Sequence, residues 1–176
     1  PLVSISEAVA RTPDRGICNV VLLSNYRTAS DTILQDKALN LNLNGFDLSF
    51  GARDSDIDGE LVTLIYNFRT RGRSDIEVFG GPVIWPNGDG LLGDKNNFRT
   101  FLFGESGSSQ SIRQSVKLRQ VTLHISSDAI GTLMSFVGTL AHLSFALITY
   151  PDQTVAGRAV RTGNTIFAAG TDPLNV

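Results

Sequence analysis

Cysteine and histidine, the residues that most often form disulfides or bind metal ions in a small protein, are scarce in this sequence. Its 176 residues include one cysteine, Cys18, and two histidines, His124 and His142. A single cysteine cannot form a disulfide within the chain, so nothing indicates an oxidising compartment. Two histidines and one cysteine do not complete a typical zinc site without carboxylates. A chain of this length can bury a core without such staples, and we expect residues 1–176 to form a single domain.

Neither sign of charge is in excess. The sequence has 15 lysines and arginines against 17 aspartates and glutamates, which gives a net charge of -2. Such a surface has no general attraction for nucleic acid or for an anionic membrane. A partner of either kind would need a local basic patch.

Sequence motifs of catalysis are missing as well. The chain has no phosphate loop and no dinucleotide fingerprint, and Ser106 lies outside a Gly-x-Ser-x-Gly nucleophile elbow. A pair of aspartates could serve a glycosidase, but the sequence does not reveal the separation that this mechanism needs. We therefore predict a protein that is not an enzyme.

One uncharged stretch is long enough to cross a membrane. Residues 129–150 contain no formally charged side chain, and a bilayer core is about 30 Å thick. Glycine, serine, threonine and histidine interrupt the apolar residues, and the end of the stretch alternates as a strand does. We predict a short buried helix over residues 127–140, then a core strand over residues 141–150, and no transmembrane span.

The most informative pattern that is present lies at residues 39–50. Apolar residues alternate along this run and change phase at Asn44 and Gly45. If both of these residues have positive φ, a β-hairpin places six apolar side chains on one face. A single strand bulged at Gly45 gives the same phase change. Both interpretations predict a sheet.

Strand-like segments continue along the chain, and turn residues separate them. Ser4, three residues before Glu7, predicts a capped N-terminal helix. A phase shift at Arg119 and Gln120 predicts a bulge. We expect a mainly β fold, an antiparallel β-sandwich or jelly roll with about nine strands and two short helices, with a partly closed barrel as the competitor. The predicted strands are residues 17–23, 39–43, 46–50, 61–69, 76–85, 98–103, 116–125, 141–150 and 159–167.

An acidic run provides candidate calcium ligands. Asp54, Asp56, Asp58 and Glu60 place oxygens at alternate positions around Gly59, as the start of an EF-hand loop does. The match fails at the twelfth position, which is Ile65 instead of a bidentate glutamate. The alternative is a solvated acidic turn between two strands. No other cofactor is predicted.

Basic residues form a candidate contact surface for anions or for partner molecules. Arg69, Arg71 and Arg73 alternate, so in one extended strand they would project to the same side. Lys117 and Arg119 alternate in the same way on a later strand. These residues can also protect a strand edge by charge, or pair with the acidic run of a second copy.

Trp85 precedes a turn-rich Pro-Asn-Gly-Asp-Gly sequence. An exposed tryptophan at such a loop can stack on a sugar or a base. The alternative is a tryptophan that closes the core.

In general character the chain resembles small viral structural proteins, the single-domain coat or matrix proteins built on β-sandwiches. The resemblance rests on residues 39–50, 61–73 and 116–150, and the chain lacks the basic N-terminal arm of many coats and the positive charge of many matrix proteins. The resemblance implies a virion protein that self-associates into a capsid shell or matrix layer through strand edges, loops and complementary charged patches. It also implies a location in the virion or the host-cell cytoplasm; a chain that is not viral would be soluble and intracellular.

Two other functional classes stay open. A lectin-like module would bind calcium or carbohydrate through Trp85 and the acidic run. A glycan-active hydrolase would need two carboxylates that converge in a cleft. The partners that we expect are further copies of the chain and, through the arginine row, nucleic acid or an anionic surface.

Overall fold

The computed structural model describes residues 4–87, 90–93, 101–104, 113–124, 132–136, 141–146 and 167–169. These residues contain the helix α1 (Ile5–Arg11) and the following strands: β1 (Ile17–Val21), β2 (Tyr26–Thr28), β3 (Thr32–Gln35), β4 (Ala38–Asn42), β5 (Leu48–Phe50), β6 (Ala52–Ile57), β7 (Glu60–Ile65), β8 (Phe68–Arg71), β9 (Arg73–Ile84), β10 (Phe101–Gly104), β11 (Arg113–His124), β12 (Thr132–Phe136), β13 (Ala141–Ala146) and β14 (Phe167–Ala169). The prediction of a mainly β protein is confirmed.

The N-terminal helix begins where the sequence predicts it. Ser4 is the N-cap, and its hydroxyl accepts a hydrogen bond from the N–H of Glu7 at 3.1 Å. Such a cap satisfies one of the N–H groups that have no partner within the helix. Ile5 and Val9 are buried, so α1 covers one end of the core.

The second predicted helix, over residues 127–140, is wrong. β12 (Thr132–Phe136) lies inside that range and is extended. A short apolar run in a core has the same composition whether it forms a strand or a helix, so its pattern did not distinguish them. No helix in the described part of the chain is long and apolar enough to cross a membrane.

Two large sheets contain parallel strand pairs, which overturns the prediction of an antiparallel sandwich. Sheet A has the order β1-β4-β9-β11-β13, with β2 and β5 attached through β9, and sheet B has the order β14-β12-β10-β8-β3. Every pair within these two sheets is parallel. The chain leaves sheet A, passes through sheet B and returns to sheet A beside its previous strand. It is therefore wound as a coil.

This coil explains how a parallel sheet forms although the described residues contain no helix between its strands. A crossover connection between parallel strands usually contains a helix, so a sequence without helix patterns between its strands favours antiparallel neighbours. In this chain the crossover is a strand of the opposite sheet, for example β10 between β9 and β11. The alternation of apolar residues along a strand is the same in a parallel coil and in an antiparallel sandwich.

Sheet A curls because its two longest strands bend at the same level. Gly80 of β9 has φ +77° and Gln120 of β11 has φ +55°. In the pairing of β9 with β11, Arg119 lies beside Phe79 and Val121 lies beside Gly81. The bends at Gly80 and Gln120 are therefore adjacent. The prediction of a bulge at Arg119 and Gln120 is wrong, because one residue, Gln120, lies opposite one residue, Gly80, and neither strand has an extra residue. The phase shift in the sequence corresponds to this bend.

The turn predicted at Asn44 and Gly45 forms, but the hairpin does not. Both residues have positive φ, at +52° and +82°, and the N–H of Phe46 donates to the carbonyl of Leu43 at 2.8 Å. The flanking strands β4 and β5 do not pair with each other. They pair in parallel with the first and second parts of β9. The turn therefore carries the chain around the bend of sheet A.

The core consists of side chains that stack from one turn of the coil to the next. The inward positions of β4, β9 and β11 lie in register and are at most 1% exposed. Burial of one such aliphatic side chain contributes about 1.5–3 kcal/mol. Phe50, Phe68 and Phe103 form an aromatic cluster with ring centroids 5.5–6.0 Å apart. The stacked residues are Leu39, Ile76 and Val116 at one level and Leu41, Val78 and Leu118 at the next.

One antiparallel hairpin projects from the coil. β6 and β7 pair with each other alone and connect β5 to β8. Their turn contains Asp58 and Gly59, both with positive φ. The acidic run therefore lies on an insertion into the second turn of the coil.

A first prediction concerns the bend of sheet A. A methyl group on Gly81 would lie 2.7 Å from the Cβ of Leu43, whereas one on Gly45 would meet nothing within 4 Å. Gly45→Ala should cost about 1–2 kcal/mol of stability, because alanine is strained at positive φ. Gly81→Ala should cost about 3 kcal/mol, because the buried Leu43 cannot move away. Urea denaturation of both variants measures this, and equal midpoints would contradict the tight packing at the bend.

A second prediction concerns Asp36, between β3 and β4. Its carboxylate accepts hydrogen bonds from the N–H of Arg73 at 2.8 Å and from Nε2 of Gln35 at 2.9 Å. These two bonds, the backbone one first, lower the pKa of Asp36 below its ordinary 3.8. A lowered pKa stabilises the fold above pH 3.8, and this contribution is lost as the pH falls through the folded-state pKa.

Asp36→Asn removes this titration but keeps one acceptor oxygen. The native protein should be more stable than the variant at about pH 6, and the difference should shrink towards about pH 3. Urea midpoints across this range measure the difference. A gap that stays constant with pH would show that Asp36 does not contribute in its charged form.

Candidate functional site

The three arginines of the predicted row do not share one strand. Arg69 and Arg71 lie on β8 in sheet B, whereas Arg73 lies beyond Gly72 at the start of β9 in sheet A. Gly72 has φ +62°, so the chain turns between them. Nη1 of Arg69 lies 3.3 Å from Oδ2 of Asp31, and both side chains are partly buried. The row is therefore divided between two surfaces.

Lys117 and Arg119 lie on the outer face of sheet A and are both exposed. Nε of Arg119 lies 3.1 Å from Oε1 of Glu77, and its guanidinium carbon lies 4.8 Å from the ring centroid of Phe79. Lys117 is the register neighbour of Glu77 on the adjacent strand. Arg119 thus already has both an anionic and an aromatic partner within the chain, and the five cations of the predicted surface occupy two sheets.

The acidic run lies on the hairpin, and its carboxylates make different contacts. Asp54 accepts hydrogen bonds from Oγ1 of Thr63 at 2.9 Å and from the N–H groups of Leu92 and Gly93 at 2.9 and 3.1 Å. Asp56 accepts one from the N–H of Gly59 at 3.0 Å. Asp54 therefore joins the hairpin to residues 90–93.

The described residues bring no calcium site together. They include no group of three or more histidine, cysteine, aspartate or glutamate side chains that could hold a metal ion. Asp56, Asp58 and Glu60 are exposed to solvent. This placement matches the alternative of a solvated acidic turn.

Trp85 is 3% exposed and belongs to the core cluster. The backbone N–H of Trp85 donates to the backbone carbonyl of His124 at 2.8 Å, which continues the pairing of β9 with β11. A buried ring offers no free face to a sugar or a base, so this placement matches the alternative in which Trp85 closes the core.

A surface that the sequence analysis missed lies at β1, the edge strand of sheet A. The carbonyl of Gly16 accepts from the N–H of Ala38 at 3.1 Å, and the N–H of Leu22 donates to the carbonyl of Asn42 at 2.9 Å. Residues of a strand direct their backbone groups to alternate sides, so the even-numbered residues bond to β4. The N–H and C=O groups of Ile17, Asn19 and Val21 therefore point to the side where no described strand pairs with β1.

Exposed apolar side chains accompany this open edge. Ile17 is 63% exposed, Val21 54% and Leu23 77%. Residues 16–26 contain no charged side chain. Sheet edges are usually protected by charge or by proline, because unpaired strands recruit other strands. The uncharged stretch of residues 16–26 was a signal present in the sequence.

A groove of about 400 Å³ runs between β1 and α1. Ile5 and Ala8 line it from the helix, and Val20 and Leu22 line it from the strand side. The hydroxyl of Tyr26 accepts a hydrogen bond from the N–H of Ile5 at 3.3 Å, which holds the helix beside the sheet. We call this region the β1 edge surface; it consists of the open edge of β1, the exposed side chains of Ile17, Val21 and Leu23, and this groove. Such a surface can bind an extended chain.

Comparison of the chain with protein-family models, with curated proteins and with solved structures gives no match.

A third prediction concerns Asp54, the most connected residue of the acidic run. Asp54→Ala leaves two backbone N–H groups and one hydroxyl without their acceptor, so we expect a loss of about 1–3 kcal/mol. Glu60→Ala, on the same hairpin at an exposed position, should cost less than about 0.5 kcal/mol. Thermal unfolding with and without calcium measures both effects. Calcium stabilisation that both substitutions abolish would instead establish a metal site.

Proposed function

We propose that the protein is a non-enzymatic structural protein that self-associates through the β1 edge surface. The observation that carries the proposal is an edge strand with three exposed aliphatic residues beside it and no charge between residues 16 and 26. Pairing with another strand would satisfy the backbone groups of Ile17, Asn19 and Val21. It would also remove part of the exposed apolar surface from water.

Complementary charged patches contribute less to this proposal than the sequence suggests. Arg69 and Arg119 have carboxylate partners within the chain, at 3.3 and 3.1 Å. A contact with a second molecule would have to compete with these ion pairs. Association through the apolar edge should instead persist at high salt, because screening weakens exposed charge pairs and leaves apolar contacts in place.

A virus particle stays the setting that we propose for this self-association. The resemblance to coat and matrix proteins assumed a β-sandwich, which this chain does not have. The lectin-like alternative loses its two supports, since Trp85 is buried and the acidic run is not gathered around a metal position.

A fourth prediction tests the self-association. The mean mass in sedimentation should rise with protein concentration, in low and in high salt. Val21→Lys should raise the dissociation constant about tenfold or more, because a charge on an edge strand opposes pairing. Leu92→Lys is the matched control, because Leu92 is 85% exposed and lies outside the β1 edge surface.

Leu92→Lys should leave the dissociation constant unchanged. A protein that stays monomeric at every concentration would overturn the proposed function. Dissolution of the assemblies by salt alone would assign the contact to charged patches instead.

A further inference from the structure

We propose that two copies of the chain join β1 to β1 in antiparallel orientation, on a two-fold axis that passes through Asn19. This inference rests on the proposed function and specifies its geometry. The occupant of the β1 edge surface is then the same strand of a second copy. Sheet A would continue from one copy into the other.

Backbone geometry favours this arrangement. Ile17, Asn19 and Val21 all direct their N–H and C=O groups to the open side. In an antiparallel pair centred on Asn19, Asn19 faces the partner's Asn19 and Ile17 faces the partner's Val21. Residues in such a pair exchange two backbone hydrogen bonds, so every open group of β1 gains a partner.

The side chains are self-complementary about the same centre. Ile17 and Val21 lie two residues on either side of Asn19, and both are β-branched and more than half exposed. A two-fold axis perpendicular to the sheet keeps the outer faces of both copies on one side. Each isoleucine would therefore pack against a valine of the partner. Parallel pairing about a two-fold axis along the strands would place the outer face of one copy beside the inner face of the other.

Charge does not oppose a second copy of this chain. In an isologous contact a residue on the axis meets its own equivalent, so a charge at the centre would repel itself. Asn19 on the axis is uncharged, and its side chain already accepts a hydrogen bond from Nδ2 of Asn40 at 2.9 Å on the outer face. Amide groups can donate and accept at once, so two asparagines can meet without an unpaired charge.

The inward-facing residues of β1 do not form the contact. Cys18 is 6% exposed and packs in the core of its own copy. Val20 lines the groove together with Ile5 and Ala8 of α1. The proposed pair therefore rests on Ile17, Asn19 and Val21, whose side chains lie on the outer face.

Cysteine cross-linking tests the register. In a Cys18→Ala background, Asn19→Cys should form a disulfide with itself, because facing Cα atoms of a hydrogen-bonded pair lie about 5.5 Å apart. Ile17→Cys alone should not, because two such residues would be offset by about 13 Å along the strands. A mixture of Ile17→Cys with Val21→Cys should form the mixed disulfide.

Charge exchange at position 19 provides an independent measurement that does not need oxidation. Asn19→Lys and Asn19→Glu should each weaken dimerisation about tenfold or more, because like charges would face each other. An equimolar mixture should recover the native dissociation constant to within about threefold. Circular dichroism of each variant, which should equal that of the native protein, separates loss of pairing from loss of folding.

These results distinguish the inference from the proposed function. Concentration-dependent association combined with a self-cross-link of Ile17→Cys, or with no effect of Asn19→Lys, would overturn the antiparallel β1 pair and leave self-association standing. A native protein that is monomeric at every concentration would overturn both.

Discussion

In-register stacking of parallel strands is the interaction on which the rest of this structure depends. Each turn of the coil places a strand beside its equivalent from the previous turn, at a spacing of about 4.8 Å. Inward residues such as Leu41, Val78 and Leu118 then lie in one continuous column. Gly80, Gln120 and Asn44 all have positive φ. The chain therefore changes direction at the same position along the strands in successive turns of the coil. The hairpin of β6 and β7 can leave the coil without breaking any column.

A coil of this kind satisfies backbone groups inside the stack and leaves them open at its ends. A closed barrel has no edge, whereas a stack of turns has an edge strand at each end. α1 covers the end of the core with Ile5 and Val9, but it does not pair with β1. The open groups of β1 and the exposed residues beside it are therefore a consequence of the architecture. The self-association that we propose at this edge would extend sheet A into a second molecule, through an antiparallel strand pair instead of the parallel pairs of the coil.

The sequence predicts the local structure of this protein well and its topology poorly. The capped helix at Ser4, the positive φ values at Asn44 and Gly45, the phase change at Gln120 and the buried side of residues 39–50 all follow from local chemistry. Alternation of apolar and polar residues indicates which side chains of a strand are buried, but it does not indicate which strands are neighbours in the sheet. The parallel pairing of β4 with β9 is set by contacts between residues that are distant in the sequence. The short apolar run at residues 132–136 forms a strand instead of the predicted helix, because its composition fits both structures.

The candidate site was predictable in part. The alternation of Arg69, Arg71 and Arg73 predicts one row only if the chain stays extended, and the turn at Gly72 separates Arg73 from the other two arginines. The uncharged stretch from residue 16 to residue 26 was visible, but it matters only once β1 is known to be an edge strand.

Nuclear Overhauser contacts between backbone protons of β4 and β9 test the central claim most directly. Parallel stacking predicts contacts that advance together along both strands, from Leu39 with Ile76 to Leu41 with Val78. A contact series in which the residue number rises on one strand while it falls on the other would establish antiparallel pairing and contradict the coil.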